Sequence, residues 1–264
     1  MSSKYGICHL AQAPIRETIS HASEMVSELL FGDLIEIKDK YQNWFKIESV
    51  FDAYEGWVDE KQFIVLDQEE YERHRADKSE VFSADFVSEV ERSADHAVFR
   101  IGMGCRLPLY ENGGFRLGKW EYICRHAVIE PEKEGEAKRK AVLERAYSML
   151  NTPYLWGGRS SRAADCSGFT QLIYRMCGVR LLRDASMQAS QGTLVHLLAE
   201  AQAGDLLFFD NENEQIVHVG IYDGNGHILH CSGSVRVDPV DHEGIFKQET
   251  GAYSHSLRLI KRVI

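Results

Sequence analysis

DCSGFTQLIYRMCGVR, residues 165–180, is the stretch on which the fold turns. Phe169, Leu172, Ile173 and Met176 recur at helical spacing and share one face with Cys166, and Gly178 supplies a C-terminal stop. Asp165 stands where an N-cap belongs, so Cys166 falls in the first turn, where unpaired backbone N–H groups and the helix dipole favour a thiolate over a thiol. Ahead of it, NTPYLWGGRSSRAAD (151–165) is a glycine-bearing approach that lets the backbone come close to a ligand. The plainer reading of Cys166 is a small buried hydrophobe. A cysteine at a helix start, directly after such a loop, points instead to a nucleophile.

A thiol nucleophile needs a base, and the base needs an orienter. IVHVGIYDGNGHILHCS (216–232) offers both in one hairpin, two strands flanking a DGNG turn. A three-residue loop, Asp223–Gly224–Asn225 with Gly226 as the left-handed bulge residue, pairs His218 directly with His230, their Cβ atoms about 4.5–5.5 Å apart. A two- or four-residue loop would pair His218 with Cys231 and put the histidines on opposite faces. The three-residue register is the expectation. His9, His21, His74, His96, His126, His196, His227, His242 and His255 have no comparable setting and read as surface or packing residues. Two histidines and a cysteine also suit zinc, but a cysteine on a helix start and histidines on a distant hairpin fit acyl transfer better than common zinc spacings. No metal and no cofactor is called for.

Outward from these motifs, AVLERAYSML (141–150) repeats Val142, Leu143, Ala146 and Met149/Leu150 at helical spacing. GDLLFFD, IVHVGIYD, HILHCSG, SVRVDPV and SHSLRLIKRVI then read as strands, giving an α+β domain over 135–264 with helices first and an antiparallel sheet after. Residues 1–67 hold closely spaced short strands (LLFGDLIEIKD, NWFKIESV, YEGWVDEKQFIVL), the pattern of a small barrel. A second β-rich stretch covers 79–129. DQEEYERHRADKSE between them reads as a solvated connector with one helical turn at most, and PEKEGEAKRK (131–140) as a solvated linker.

The chain has 264 residues and a net charge of −10, which argues against a nucleic-acid partner and gives no pull toward an anionic membrane. No run of about 18 apolar residues spans a bilayer. Six cysteines show no C-x-x-C pair, so reduced thiols are expected. No signal peptide is readable, and with Met1 as the natural start the expected location is the cytoplasm.

TPYLWGG, DCSGF, GDLLFF, HVGIY and HILHCSG, in that order over 135–264, together resemble the NlpC-type family of cysteine peptidases, which have a papain-like core and cleave cell-wall peptides. The resemblance implies Cys166 as nucleophile, His218 as base and His230 as the third polar residue. It further implies Tyr154 as a hydrogen-bonding group near the thiol, and Asp165 and Ser167 in the substrate-facing loop. LLFGD and YEGWV resemble bacterial SH3-like domains, so the implied fold is two small SH3-like β-barrels followed by the catalytic domain. This layout is similar to the cytoplasmic γ-D-glutamyl-L-diamino acid endopeptidases of murein-peptide recycling, which release L-Ala-D-Glu and require a free L-Ala amine. LLRDAS resembles their substrate loop, implying that Arg183 and Asp184 face the dipeptide, with Asp184 on the ammonium. By position, Tyr54 and Glu24 (or Glu28) complete the pocket from the first SH3-like domain. Ala185 departs from the pattern, a hydroxyl being expected there. The competing readings are a secreted wall hydrolase gripping peptidoglycan, an acyltransferase using the same thioester, and a non-catalytic binding protein.

Overall fold

The structure, a computed structural model, describes residues 4–132 and 134–264. The chain divides into two compact units, one running to Pro131 and including Ser160–Arg162, the other comprising Glu132–Arg159 and Ala163–Ile264.

The first unit opens with seven strands: β1 (Tyr5–Cys8), β2 (Gln12–Arg16), β3 (Met25–Leu30), β4 (Leu34–Tyr41), β5 (Trp44–Ser49), β6 (Glu55–Asp59) and β7 (Phe63–Leu66). They form one sheet in the order β3-β2-β6-β5-β4-β1-β7. Inward residues alternate along β2 and β5, so Ile15, Leu29, Ile35, Phe45, Ile47, Val58 and Phe63 meet in a single core. The expected barrel is not closed. The end strands β3 and β7 do not pair, and β2 meets β6 at one position only, Arg16 opposite Trp57, just past a bulge at Ile15/Arg16. Side chains, not a continuous hydrogen-bond ladder, close the interior.

The connector is more ordered than its charge implied. Asp67 and Glu70 form a reciprocal capping box that starts α1 (Gln68–Ala76). Tyr71, buried, stacks on Tyr5 at 3.8 Å and donates to Glu36 at 2.8 Å. Beyond it come β8 (Phe82–Ser83), β9 (Ser88–Arg92), β10 (Val98–Ile101), β11 (Gly114–Leu117), β12 (Trp120–Cys124) and β13 (Val128–Ile129). They make a four-stranded antiparallel sheet, β10-β9-β12-β11, and a β13-β8 pair. The two β regions share packing: Phe31 lies edge-on to Phe115 and Tyr122, each 5.9 Å away. Gly32 makes this approach possible, since a Cβ there would stand 2.3 Å from the carbonyl oxygen of Arg106.

The second unit begins with α2 (Glu136–Ser148), α3 (Cys166–Met176) and α4 (Ala185–Gln188). Strands β14 (Thr193–Val195), β15 (Leu206–Asp210), β16 (Ile216–Tyr222), β17 (His227–Ser232), β18 (Ser234–Pro239), β19 (Gly244–Lys247) and β20 (Ala252–Arg262) follow. The sheet runs β14-β20-β15-β16-β17-β18, with β19 on β20. Every residue of α3 is buried, and the helix packs on β16 and β17. Strand alternation turns Cys231 toward the helix, where its thiol reaches Ala164 O at 3.1 Å. The opposite face carries Leu207, Phe209, Tyr222 and Ile228, and with them His218 and His230.

Candidate active site

Asp165 caps α3 as expected, accepting from Gly168 N at 2.7 Å, but its carboxylate does more. It also accepts from Gly157 N at 2.9 Å, and the Arg183 guanidinium forks onto both of its oxygens at 3.0 and 2.6 Å. Ser167 Oγ lies 3.2 Å from the same carboxylate and accepts from Arg183 at 3.0 Å. Arg183, which the resemblance places toward the dipeptide, is 1% exposed, with its guanidinium on Asp165 and Ser167. A bidentate fork satisfies a buried carboxylate that would otherwise be costly, and Asp165, Ser167 and Arg183 are thereby tied to one another. Gly168 lets α3 start hard against the preceding loop, because a Cβ there would lie 2.0 Å from Gly158 O. Gln188 is a contributor the sequence did not reveal. Fully buried on α4, it donates to Ser167 O at 3.0 Å and to Leu182 O at 2.9 Å, pinning the first turn of α3.

Cys166 is 8% exposed. Burial, then the neighbouring Asp165, push its thiol up to about 11, against the downward pull of the Val219 and Ser167 backbone amides that face the sulfur. The helix start is therefore not sufficient to make a thiolate, contrary to expectation: desolvation outweighs it. The Val219 contact sets the thiol beside the strand residue that follows His218.

The histidine hairpin has a different register from the one expected. Gly220, not His218, stands opposite His230, with Ile221 opposite Leu229 and Tyr222 opposite Ile228. The loop is shifted by one residue. Asp223 N bonds to His227 O, and the Asp223 carboxylate accepts from Asn225 N at 2.7 Å and His227 N at 3.0 Å, so Gly224 and Gly226 take the left-handed positions (φ +87° and +82°). A one-residue loop shift moves the pairing by two, so the histidines stay on one face as diagonal neighbours, still within reach. Gly220 leaves the necessary space, since a Cβ there would stand 2.8 Å from that of His230. His218 Nε2 and His230 Nδ1 are 2.8 Å apart.

The relay continues by a second diagonal step. His230 Nε2 lies 2.9 Å from Asp238 Oδ2, and Arg236 donates to Asp238 Oδ1 at 2.7 Å. Burial alone would raise the Asp238 carboxyl, but hydrogen bonds from His230 and Arg236 prevail and hold it below the usual range. An ionised carboxylate only accepts, and with one hydrogen on each ring this sets the order upstream. His230 carries its hydrogen on Nε2 and accepts at Nδ1. His218 then carries its hydrogen on Nε2, and its Nδ1 is left with a lone pair. Burial, and then the surrounding His230, His255 and Lys247, hold His218 well below the ordinary histidine value, so it rests neutral. Sequence reasoning missed Asp238; its one signal was an acid within the otherwise strand-like SVRVDPV.

Tyr154 is half-buried, its backbone N–H donating to Gly233 O at 2.9 Å. Burial, then the nearby Cys166 and Asp165, push its phenol up to about 12, so it remains a donor. Asp184 is half-buried and precedes α4 without capping it. Glu24 and Tyr54 belong to the first unit, Glu24 exposed just before β3 and Tyr54 half-buried just before β6. Glu28 is buried (2% exposed) and accepts from Gln12 at 3.1 Å. Among the described residues, no group of three or more His, Cys, Asp and Glu side chains is arranged to hold a metal ion.

A helix-start cysteine and a His–His–Asp series carried by three adjacent strands, on this α+β fold, define a cysteine peptidase. Residues 151–254 match the NlpC/P60 family, and residues 15–63 match the bacterial dipeptidyl-peptidase Sh3 domain. The chain therefore carries an NlpC/P60 domain, preceded by a bacterial dipeptidyl-peptidase Sh3 domain. It is similar to a gamma-D-glutamyl-L-lysine dipeptidyl-peptidase of Bacillus cereus, 26% identical over 263 residues, covering 89% of this chain and 76% of the relative. A Bacillus subtilis protein of the same description is 38% identical over 130 residues, 47% of this chain and 44% of that one. In fold, an NlpC/P60 family protein from Bacillus cereus superposes with a TM-score of 0.81 at 19% identity, over 98% of this chain and 99% of that chain.

Proposed function

We propose that the protein hydrolyses the amide bond between γ-D-glutamate and an L-diamino acid in murein peptides that begin with a free L-alanine. It releases L-Ala-D-Glu and acts in the cytoplasm on peptides recovered from the wall. The observation that carries the chemistry is the fixed hydrogen-bond order Asp238–His230–His218, which leaves His218 Nδ1 as the acceptor for the thiol proton. Cys166 gives its proton to His218 as its sulfur attacks the γ-carbonyl, and His218 passes that proton to the leaving amine as the C–N bond breaks. Water, deprotonated by His218, then displaces the sulfur from the thioester, and the proton returns to Cys166. The neutral Tyr154 phenol and the Cys166 backbone N–H serve the developing oxyanion, each such donor lowering the barrier by about 3 kcal/mol.

The substrate assignment is supported by the two Bacillus relatives described as gamma-D-glutamyl-L-lysine dipeptidyl-peptidases. Asp184 receives the alanine ammonium. A free amine is selected because an uncharged one leaves that carboxylate desolvated and without its countercharge. Six free cysteines and a net charge of −10 suit a reducing compartment and a small diffusible substrate.

Incubation with L-Ala-γ-D-Glu-L-Lys, the diaminopimelate analogue and their N-acetylated forms, with products identified by mass, tests this. Release of L-Ala-D-Glu from the free-amine peptides alone, lost in Cys166→Ala, is expected. Equal cleavage of the acetylated peptides, together with activity on intact sacculi, would replace the recycling role by that of a secreted wall hydrolase.

A further inference from the structure

His255 lies on β20 opposite Ile245 of β19, one residue beyond the stretch that matches the family. Its imidazole stacks on that of His218, ring centroids 4.3 Å apart and planes 24° from parallel. It also presents itself edge-on to His230 at 6.4 Å and to Phe209 at 6.1 Å. Phe209, opposite His218 on β15, places its own ring 5.9 Å from the base. The His255 ring is itself anchored. Ser254 Oγ donates its one hydrogen to Ile245 O at 3.3 Å, so at 2.9 Å it accepts from His255 Nδ1–H. That bond sets the tautomer and holds the ring plane.

We propose that His255 is a positioning residue for the base: its ring, laid face to face on His218, fixes the plane of that imidazole and walls the His218–His230 hydrogen bond off from water. The proposal rests on His218 being the base, as proposed above. The covering ring is itself uncharged: burial, then the nearby His230 and Lys247, hold His255 down to about 4. The groups that act on His218 are His230 from β17, His255 from β20 and Lys247 from β19, with Asp238 of β18 acting through His230. Of the three rings in contact with His218, those of Phe209, His230 and His255, His230 is hydrogen-bonded to it and His255 is the one stacked on its face.

His255→Ala and His255→Phe separate this role from simple packing. In the Ala variant we expect kcat to fall about tenfold or more, with KM within about twofold. The acid limb of kcat/KM should move to higher pH, because water reaching His218 lets it protonate more readily. The Phe variant keeps a stacking face and should retain kcat within about threefold and the wild-type acid limb. An Ala variant that loses only thermal stability, with kcat and pH profile unchanged, would reduce His255 to packing. A folded Phe variant as impaired as Ala would show that the stack is not what matters. The pH profile of Cys166 alkylation by iodoacetamide, which needs no peptide, gives a second reading. An altered profile in His255→Ala supports the proposal even if murein peptides prove not to be substrates, and an unaltered one overturns it. Loss of peptide cleavage in Cys166→Ala and His218→Ala tests the base assignment itself.

Discussion

Replacing Asp238 by asparagine changes one atom beside His230, yet the hydrogen-bond order carries that change to His218. Arg236 Nη2 donates to one oxygen of Asp238 and His230 Nε2 to the other. An asparagine has one acceptor and one donor end, and the permanently charged arginine takes the acceptor. The amide NH2 then faces His230 Nε2 and obliges it to accept. His230 must therefore donate from Nδ1, His218 must accept at Nε2, and the His218 hydrogen moves to Nδ1, where it blocks uptake of the thiol proton. Restoring the working tautomer requires turning the amide over. That sets donor against donor at Arg236, giving up a charge-assisted bond of about 1.5–3 kcal/mol and the negative charge beneath the imidazolium. A combined cost of about 3–4 kcal/mol corresponds to a fall in kcat of roughly 10²–10³-fold, with KM little changed. Steady-state hydrolysis of L-Ala-γ-D-Glu-L-Lys, monitored by release of lysine, measures it. The double variant Asp238→Asn/Arg236→Ala should recover about tenfold, because the amide oxygen is then free to face His230. An Asp238→Asn enzyme within threefold of wild type, or a double variant no better than the single, would refute the tautomer relay.

Other expectations come from the same site. With its thiol pushed up to about 11, Cys166 should be alkylated by iodoacetamide at pH 7 about a hundredfold more slowly than free cysteine, the rate climbing toward pH 11. A rate already at its plateau at pH 7 would mean that a thiolate–imidazolium pair exists at rest. Arg183→Met leaves Asp165 buried with its countercharge removed, which should destabilise the catalytic unit by about 3–5 kcal/mol and lower Tm by roughly 10 °C, read by calorimetry. Because burial holds the folded His218 below its unfolded value of 6.5, the stability tied to its neutral form is present above pH 6.5 and is lost as pH falls below it. Urea midpoints should consequently fall more steeply from pH 7 to 5 in the wild type than in His218→Gln, and equal slopes would contradict this.

Much of the site was legible from local pattern. Apolar spacing after Asp165 defined a helix and set Cys166 in its first turn, because capping and helical period act within a few residues. The two histidines were assigned to one face because strand alternation has a period of two, and that survives a pairing error of two. The register itself was not legible. Asp223 accepting from two backbone amides decided which glycines turn the loop, and one residue of slippage altered which side chain faces His230. The charged connector looked solvated because its composition is polar, yet a capping box and one buried tyrosine made it a helix.

What the sequence by itself determined was the order of elements, the place of Cys166 at a helix start and the placing of two histidines on a common face. Each arises from periodicities that a chain carries locally. Tertiary structure alone decided the rest. It laid His255 of β20 onto His218 of β16, two strands that have β15 between them in the sheet. It turned Arg183 inward onto Asp165, and it buried Cys166 deeply enough for desolvation to overrule the helix terminus. Burial and long-range partners set protonation, tautomer and ring orientation, and those quantities do not exist until distant segments exclude water together.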